Sequence, residues 1–519
     1  MGLDRLEMLE RLQDTPLFDV IIIGGGATGL GALVDSASRG YKTLLLEQSD
    51  FAKATSSRST KLIHGGLRYL KQGNISLVVE ALKERGLLCK NAPHLVSALP
   101  FLVPSYHWWE GPFYGVGLHL YDLLAGKLGL EKSQSLSFEE TLEKIPTLQT
   151  EGLRGANLYF DGQFDDARLA ITLAITGADL GAVVLNYVKV ENFIKENEKI
   201  CGVKALDIET GRSYLIRTKT VVQATGVFSD HLSKLDDPNA SSMITPSQGV
   251  HLVLNRSFLP SETALMIPST EDGRVLFFVP WHNHLLVGTT DTPVESPQLE
   301  PVPLKEEVEF LLHHAQRYLT KPPKKEDILS QFAGLRPLIY KSGAKKTSSL
   351  SRDHVITISK SGLITIAGGK WTTYRKMGQD AINQAMVVGD LKKTISKTAF
   401  LKLHGYEGSS HKIDSWLSYG TDRKIMQEWI LEKPIFGNQL HPKLPYLLVE
   451  LIWAIRFEMA RTLEDLLARR TRALFLDAQA ALEIAPFAAN ILANELGKTN
   501  EWMKEQVELF KILSKGYLP

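Results

Sequence analysis

Asp19-Val-Ile-Ile-Ile-Gly-Gly-Gly-Ala-Thr-Gly29, followed downstream by Leu44-Leu-Leu-Glu47, reads as a strand, a glycine-rich turn, a helix, a second strand and a terminal acid. The apolar run from Val20 to Ile23 suits a strand buried on both faces. Gly24, Gly26 and Gly29 form G-x-G-x-x-G. The first glycine permits the tight turn, the second lets a pyrophosphate approach the backbone, and the third lets helix and strand pack closely. The following helix would point its unpaired N–H groups at the phosphates. Glu47 ends the second strand, where an acid can bind a ribose hydroxyl. A glycine motif alone is weak; here strand, helix and acid fall in the expected order, so the unit is read as dinucleotide-binding.

Working outward, the helix is expected from near Thr28 to Arg39, with Gly40 as its C-terminal stop. A small, hydroxylated, basic segment around Thr55, Ser56 and Ser57 offers donors for phosphates. A helix from about Ser76 to Lys90 follows. Trp108, Trp109, Phe113, Tyr114 and Tyr121 then cluster between Tyr106 and Leu130, as substrate-domain core or as a contact with a membrane interface. Asp165 opens a helix running to about Gly181. Val183 to Val190 reads as one strand, Cys201 to Asp207 and Ser213 to Ile216 as a hairpin, and Thr220 to Gly226 as a buried strand with a small-residue turn. Gln248 to Leu254, Val275 to Val279 and Leu285 to Thr289 form an antiparallel block suited to a pocket floor. Leu363 to Lys370 is another strand with a glycine turn. Beyond Thr394 the pattern is mostly helical, with Leu447 to Ala468 and Asp477 to Asn494 the clearest helices; Leu447 to Ile455 reads as buried.

A β-to-α alternation broken by an antiparallel insert implies α/β architecture with discontinuous domains. The expected division is a dinucleotide domain over 1–95, 150–235 and 340–393, a substrate domain over 96–149 and 236–339, and a helical C-terminal domain over 394–519. A net charge of +1 with no long charge run gives no footprint for nucleic acid. Cys89 and Cys201 make no disulfide framework and sit in no metal-ligand spacing, so no metal is expected. No secretion signal or membrane span is read.

Three turns, at Gly24 to Gly29, Ala224 to Gly226 and Gly368 to Gly369, each follow an apolar strand. Ligands bind where such strand ends converge. A long dinucleotide lying across them, with its redox ring toward the last turn, favours FAD over NAD on size. Arg336 before Pro337 and Lys370 after a glycine pair are placed to meet a phosphate dianion, which wants arginine forks and lysine charge. Arg352, and Arg68-Tyr69 after another glycine pair, are further candidates. His251 and His64 compete as a base, since histidine titrates near neutral pH.

The blocks Asp35 to Gly40, Ala54-Thr-Ser-Ser57, Lys61-Leu-Ile-His-Gly-Gly-Leu-Arg-Tyr-Leu70, Asp165-Asp-Ala-Arg168, Gly288-Thr-Thr-Asp291, Gly334-Leu-Arg-Pro337 and Gly368-Gly-Lys-Trp-Thr-Thr-Tyr-Arg375 closely resemble the FAD-dependent glycerol-3-phosphate dehydrogenases. Glu464-Asp-Leu-Leu-Ala-Arg-Arg-Thr-Arg472 resembles the signature of their helical C-terminal domain. The resemblance runs almost end to end, and the K-L-I-H-G-G-L-R-Y-L block is specific to that group. It implies a D-amino-acid-oxidase-like fold. It also implies oxidation of sn-glycerol 3-phosphate to dihydroxyacetone phosphate, with hydride passing to the flavin N5 and electrons to a membrane quinone. An oxidase that releases hydrogen peroxide is the nearest alternative.

By the same resemblance His251 serves the substrate and His64 the flavin side, with Arg336 and Lys370 beside them. Arg68, Tyr69, Arg336, Arg352 and Lys370 bind substrate. Gly24, Gly26, Gly29, Glu47, Thr55, Ser56, Ser57, Val188, Gly226 and Lys370 contact FAD, Val188 through backbone near the adenine. A peripheral place on the cytoplasmic face of a bacterial-type inner membrane is expected, since no D-x-D-x-D-G calcium loop is seen. A homodimer is allowed by the sequence but not read from it.

Overall fold

The computed structural model describes residues 2–66, 70, 74–270, 273–340, 354–408 and 415–519. Two sheets organise the chain. The first runs His354–Ile358, Ile364–Gly368, Ser213–Gln223, Phe18–Ile23, Thr43–Leu46, Val183–Leu185 in space. Its central strands are parallel, with Ile21 beside both Leu44 and Val221, and Val222 beside Ile364. Val20 to Ile22 and Leu44 to Leu46 are almost wholly buried, as strands covered on both faces must be. Helices Ala27–Ser38, Asp166–Asp179 and Tyr374–Val388 pack with this sheet in one apolar core. The parallel register brings Gly24, Glu47, Ala224 and Gly368 to one edge.

The second sheet is mostly antiparallel and built around the long pair Ile244–Asn255 and Ile328–Ile339. Val96–Ser105 and Gly155–Phe164 extend it. The dinucleotide segment expected from 150 therefore begins, in strand pairing, only after Phe164, because Gly155–Phe164 pairs residue by residue with Val96–Ser105. The C-terminal helices Leu448–Phe457, Ala478–Leu496 and Asn500–Ser514 share an apolar core with one face of this sheet.

Three elements differ from the sequence reading. Val183 to Val190 is two strands, Val183–Leu185 and Val188–Glu196. The break falls where the Asn186 amide donates to Asp50 and to the Met459 carbonyl, and Tyr187 turns to φ +55°. Conversely, Ser213–Gln223 is one strand where two were expected. Its first half pairs antiparallel with Gly202 to Leu206 and its second half parallel with Phe18–Ile23. Arg217 and Lys219 face solvent while Ile216 and Thr218 are buried, so the polar residues mark alternation and not a loop. The helix expected to reach Ala468 stops at Phe457. Beyond it Met459 adopts φ +53°, and the Asp465 carboxylate accepts from the backbone N–H groups of Arg461 and Thr462, which holds a turn in place of helix.

Candidate active site

The strand ends and the second sheet enclose a cleft of about 1420 Å³. Beside it, at the glycine turn, the helix Ala27–Ser38 starts with no side-chain cap from its own N-cap residue, Gly26. Instead the Ser56 hydroxyl accepts from the Ala27 N–H at 2.9 Å, which puts Ser56 directly at the helix end. A Cβ on Gly29 would lie 1.9 Å from the Gly24 carbonyl oxygen, so helix and turn meet only without one. Gly24 itself sits at φ +112°. The Glu47 carboxylate accepts from the Gly25 N–H at 2.7 Å and the Ser49 N–H at 2.8 Å. Burial raises its proton affinity, against those two hydrogen bonds. The Val188 N–H donates to the Glu47 carbonyl, placing that backbone beside the acid. Gly226 follows the Ser213–Gln223 strand at φ +56°. The Thr55 hydroxyl donates to the Leu335 carbonyl and links this segment to the second sheet.

The residues present fit FAD. The Ser57 hydroxyl is buried and has no hydrogen-bond partner among the described residues, an unmet polar group beside the capped helix end. With the glycine turn, the terminal acid and the backbone at Val188 it forms the donor set an adenine dinucleotide needs.

In the cleft itself, His251 and Arg336 project from the paired strands Ile244–Asn255 and Ile328–Ile339, where Gly249 stands opposite Gly334. Both glycines of the local pattern make room. A Cβ on Gly249 would meet an Arg336 guanidinium nitrogen at 2.3 Å, and one on Gly288 would meet the His251 ring at 2.1 Å. His251 is buried, stacks on Phe332 at 4.9 Å, and has Nε2 2.9 Å from the Thr60 hydroxyl. Burial first, then the charges of Lys61 and Arg336, push its pKa well below the ordinary histidine value, so the ring is neutral at neutral pH. Arg336 donates to the Gln248 carbonyl at 3.3 Å and the Thr289 hydroxyl at 3.1 Å, with Asp291 at 3.7 Å. His64 and Lys370 line the same cleft. The His64 backbone is tied at both its N–H and its carbonyl to the Thr372 hydroxyl, just past the Gly368-Gly369 turn.

The structure thus brings His251, His64, Arg336 and Lys370 into one cavity. Arg68, Tyr69 and Arg352 lie outside the described residues. Sequence reasoning assigned no role to Thr60, the hydrogen-bond partner of His251. It gave none to the buried pair of Lys61 and Asp166, 2.7 Å apart. Both pair members stood in quoted blocks, but no spacing in one chain shows that these blocks meet.

The geometry is that of a flavin-dependent oxidoreductase: a dinucleotide edge beside a cleft that holds a neutral buried histidine and cations. Residues 19–375 match the FAD dependent oxidoreductase family, and residues 365–505 match the C-terminal domain of alpha-glycerophosphate oxidase. Mitochondrial glycerol-3-phosphate dehydrogenase of Homo sapiens is 40% identical over 97% of this chain and 74% of its own length. That of Schizosaccharomyces pombe is 36% identical over 95% of this chain and 86% of its own. Glycerol-3-phosphate dehydrogenase from Bacillus halodurans, solved in complex with FAD, superposes with a TM-score of 0.80 at 28% identity, covering 99% of this chain and 98% of that one. L-alpha-glycerophosphate oxidase from Mycoplasma pneumoniae, at 19% identity and a TM-score of 0.57 over 74% of this chain and 97% of that one, shares the fold. The chain belongs to the FAD-dependent glycerol-3-phosphate dehydrogenase and oxidase family, and its cofactor is FAD.

Proposed function

We propose that this chain oxidises sn-glycerol 3-phosphate at C2 to dihydroxyacetone phosphate and passes the electrons to a membrane quinone. The observation that carries the reading is the pairing of a buried, neutral His251 with Arg336 on adjacent strands of one cleft, in a chain whose relatives carry this activity in their names. When bound, FAD supplies the two-electron acceptor. The groups that would hold it are the hydroxyls of Thr55, Ser56 and Ser57, the accepting carboxylate of Glu47 and the backbone at Gly24, Gly26, Gly29, Val188 and Gly226, with Lys370 at the redox end.

His251 takes the C2 hydroxyl proton at Nε2 by way of the cleft-lining Thr60 hydroxyl, which donates to that nitrogen and accepts from the substrate. Arg336 and Lys370 hold the phosphate, Arg336 through a planar fork already fixed by Thr289 and the Gln248 carbonyl. His64 stands on the flavin side. Arg68, Tyr69 and Arg352 complete the anion site by resemblance. The shared cleft and the family likeness support the roles of His251, His64, Arg336 and Lys370; those of Arg68, Tyr69 and Arg352 rest on the likeness alone.

The quinone acceptor is supported by the aromatic helix Glu110–Ala125. Trp108 is 78% exposed and Leu123 76%, with Trp109 also exposed, a composition that suits a bilayer interface, while Phe113, Val116 and Leu120 of the same segment line the cleft mouth where a quinone would arrive. Among the described residues no helix is long and apolar enough to cross a membrane. Peripheral attachment to the cytoplasmic face of a bacterial-type inner membrane completes the reading, as a monomer or homodimer.

Anaerobic mixing with glycerol 3-phosphate should bleach the oxidised-flavin band, while glycerol or a free amino acid should not. Turnover with a short-chain quinone, and little oxygen uptake without it, would then support the dehydrogenase over the peroxide-forming oxidase. Absence of bleaching in FAD-replete protein would sink the donor assignment.

A further inference from the structure

Behind His251 lies a buried polar cluster that the reaction above does not use. Asp166, wholly buried, opens the helix Asp166–Asp179. One of its carboxylate oxygens accepts from the Ser59 N–H at 2.9 Å, the Ser59 hydroxyl at 2.7 Å and the Lys61 ammonium at 2.7 Å. Lys61 donates as well to the Ser57 carbonyl at 2.8 Å. Its ammonium is caged by the rings of Trp281, Phe332 and Phe475 at 5.2, 5.3 and 5.5 Å. From the C-terminal domain Arg472 donates to the same Ser57 carbonyl at 2.6 Å and lies 3.4 Å from the other Asp166 oxygen. Its guanidinium stacks on Phe475 at 4.2 Å.

The Ser57–Lys61 segment is therefore held from behind at three successive points, Ser57, Ser59 and Lys61, and by a cation from another domain. Between those points stands Thr60, whose hydroxyl meets His251 Nε2. The cage also reaches His251 from its other side, since Phe332 both faces Lys61 and stacks on the imidazole. Buried charges tolerate little displacement, because each loses a partner it cannot replace with water. Lys61 at φ +64° shows that the segment is kept in a conformation an ordinary residue disfavours.

We infer that Asp166 and Arg472 are positioning residues for the reaction, acting on His251 through the Ser57–Lys61 segment and Thr60, so that the C-terminal domain completes the active site it does not line. The inference rests on His251 being the base. The charged groups whose fields reach His251 are Lys61, from this segment, and Arg336, from the Ile328–Ile339 strand; the facing strand presents Gly288 to the ring.

The test is the rate of anaerobic flavin reduction by glycerol 3-phosphate in holoenzyme of measured FAD content, across pH. Thr60→Val should slow reduction about tenfold or more with little change in the substrate concentration needed for half-saturation, and Thr60→Ser should restore most of the rate. Arg472→Lys, which keeps the charge but loses the fork, should slow it by a smaller factor and move the acidic limb of the pH profile. Added to His251→Asn, Thr60→Val should cost nothing further. FAD-replete Thr60→Val and Arg472→Lys enzymes with the parent rate and pH profile would overturn the inference, as would a full additional loss in the double variant. If His251→Asn alone keeps the parent rate, the assignment of the base fails and the inference falls with it.

Discussion

The donor end of the cleft and the aromatic helix Glu110–Ala125 border the same cavity, yet they are built on opposite terms. Around His251 the groups are polar, buried and paired at fixed distances: Thr60 to His251, Lys61 to Asp166, Arg472 to Ser57. Along the helix, large apolar side chains stand exposed. Hydrogen bonds and ion pairs are directional, so the first region specifies a geometry. Apolar burial scales with area and has no preferred direction, so the second can meet a fluid surface. Recognition of one small substrate needs the former; attachment to a bilayer needs only the latter.

Substitutions should separate the two. The largest effect is expected at His251→Asn, with flavin reduction slowed by about 10² to 10⁴-fold, the range for a lost general base. Burial and nearby cations hold the His251 pKa well below 6.5, and burial lowers that of Lys61 to about 7, so the parent profile should show a partial Lys61 step near neutral pH and loss of the base only at more acidic pH. A rate that is lost in full above pH 6.5 would break the contrast.

Asp50→Asn tests whether the paired interior is as unforgiving elsewhere. Asp50 is buried between Arg469 and Arg470, each 2.6 Å away; its loss leaves Arg470 with only the Glu458 carboxylate at 3.9 Å, while Arg469 keeps Glu464 and Asp465. Urea unfolding at fixed FAD should show a loss of about 3–5 kcal/mol. Arg336→Lys keeps a charge but not the fork, and should raise KM for glycerol 3-phosphate about 10-fold or more. Glu300 sharpens the pH side. Burial alone would raise its pKa, but Arg58 and Lys53 outweigh it and hold the carboxyl at about 2. Its folded pKa is thus depressed, so its stabilising contribution is present above the ordinary value of 4.5 and is lost as pH falls from there toward 2. Glu300→Gln should flatten the acid side of a thermal-stability profile in that window. The smallest effect on chemistry is expected from Trp108→Ser, Trp109→Ser and Leu123→Ser together, three exposed residues outside the cleft lining. Flotation with anionic vesicles should fall sharply while flavin reduction in solution stays within about twofold. A parallel loss of both would mean that these three side chains act on the cleft through Phe113, Val116 and Leu120, which line it from the same helix.

How much of this was legible in the chain depends on range. Gly24 to Glu47 could be read outright, because strand, turn, helix and acid lie within one local unit and each residue type has a local reason. The long strand Ser213–Gln223 could not, since Arg217 and Lys219 resemble a loop until the neighbouring strands show which face is wet. The end of the Leu448–Phe457 helix depended on Asp465 folding back onto two backbone amides, which apolar periodicity does not register. His251 and Arg336 were picked by residue type and by likeness, whereas Thr60 and Asp166 were not. Their importance lies in pairings across more than a hundred residues, and a single sequence carries no trace of those. The aromatic segment divides in a way the sequence did not show: Tyr121 is buried in the core, Phe113 and Tyr114 line the cleft, and Trp108 stands exposed.

The hydrogen bond from Arg472 to the Ser57 carbonyl joins residues 415 positions apart. On a ribosome adding roughly 5–20 residues per second, the partner of Ser57 is not synthesised for about 20–80 s after it. The glycine turn and its helix can form early, from local contacts. Asp166 can hold the flanking loop at Ser59 and Lys61 early, but the Ser57 carbonyl stays without its Arg472 partner until that residue emerges. A nascent or clipped molecule lacking the arginine cluster would carry a recognisable dinucleotide motif beside a loop with one of its anchors missing.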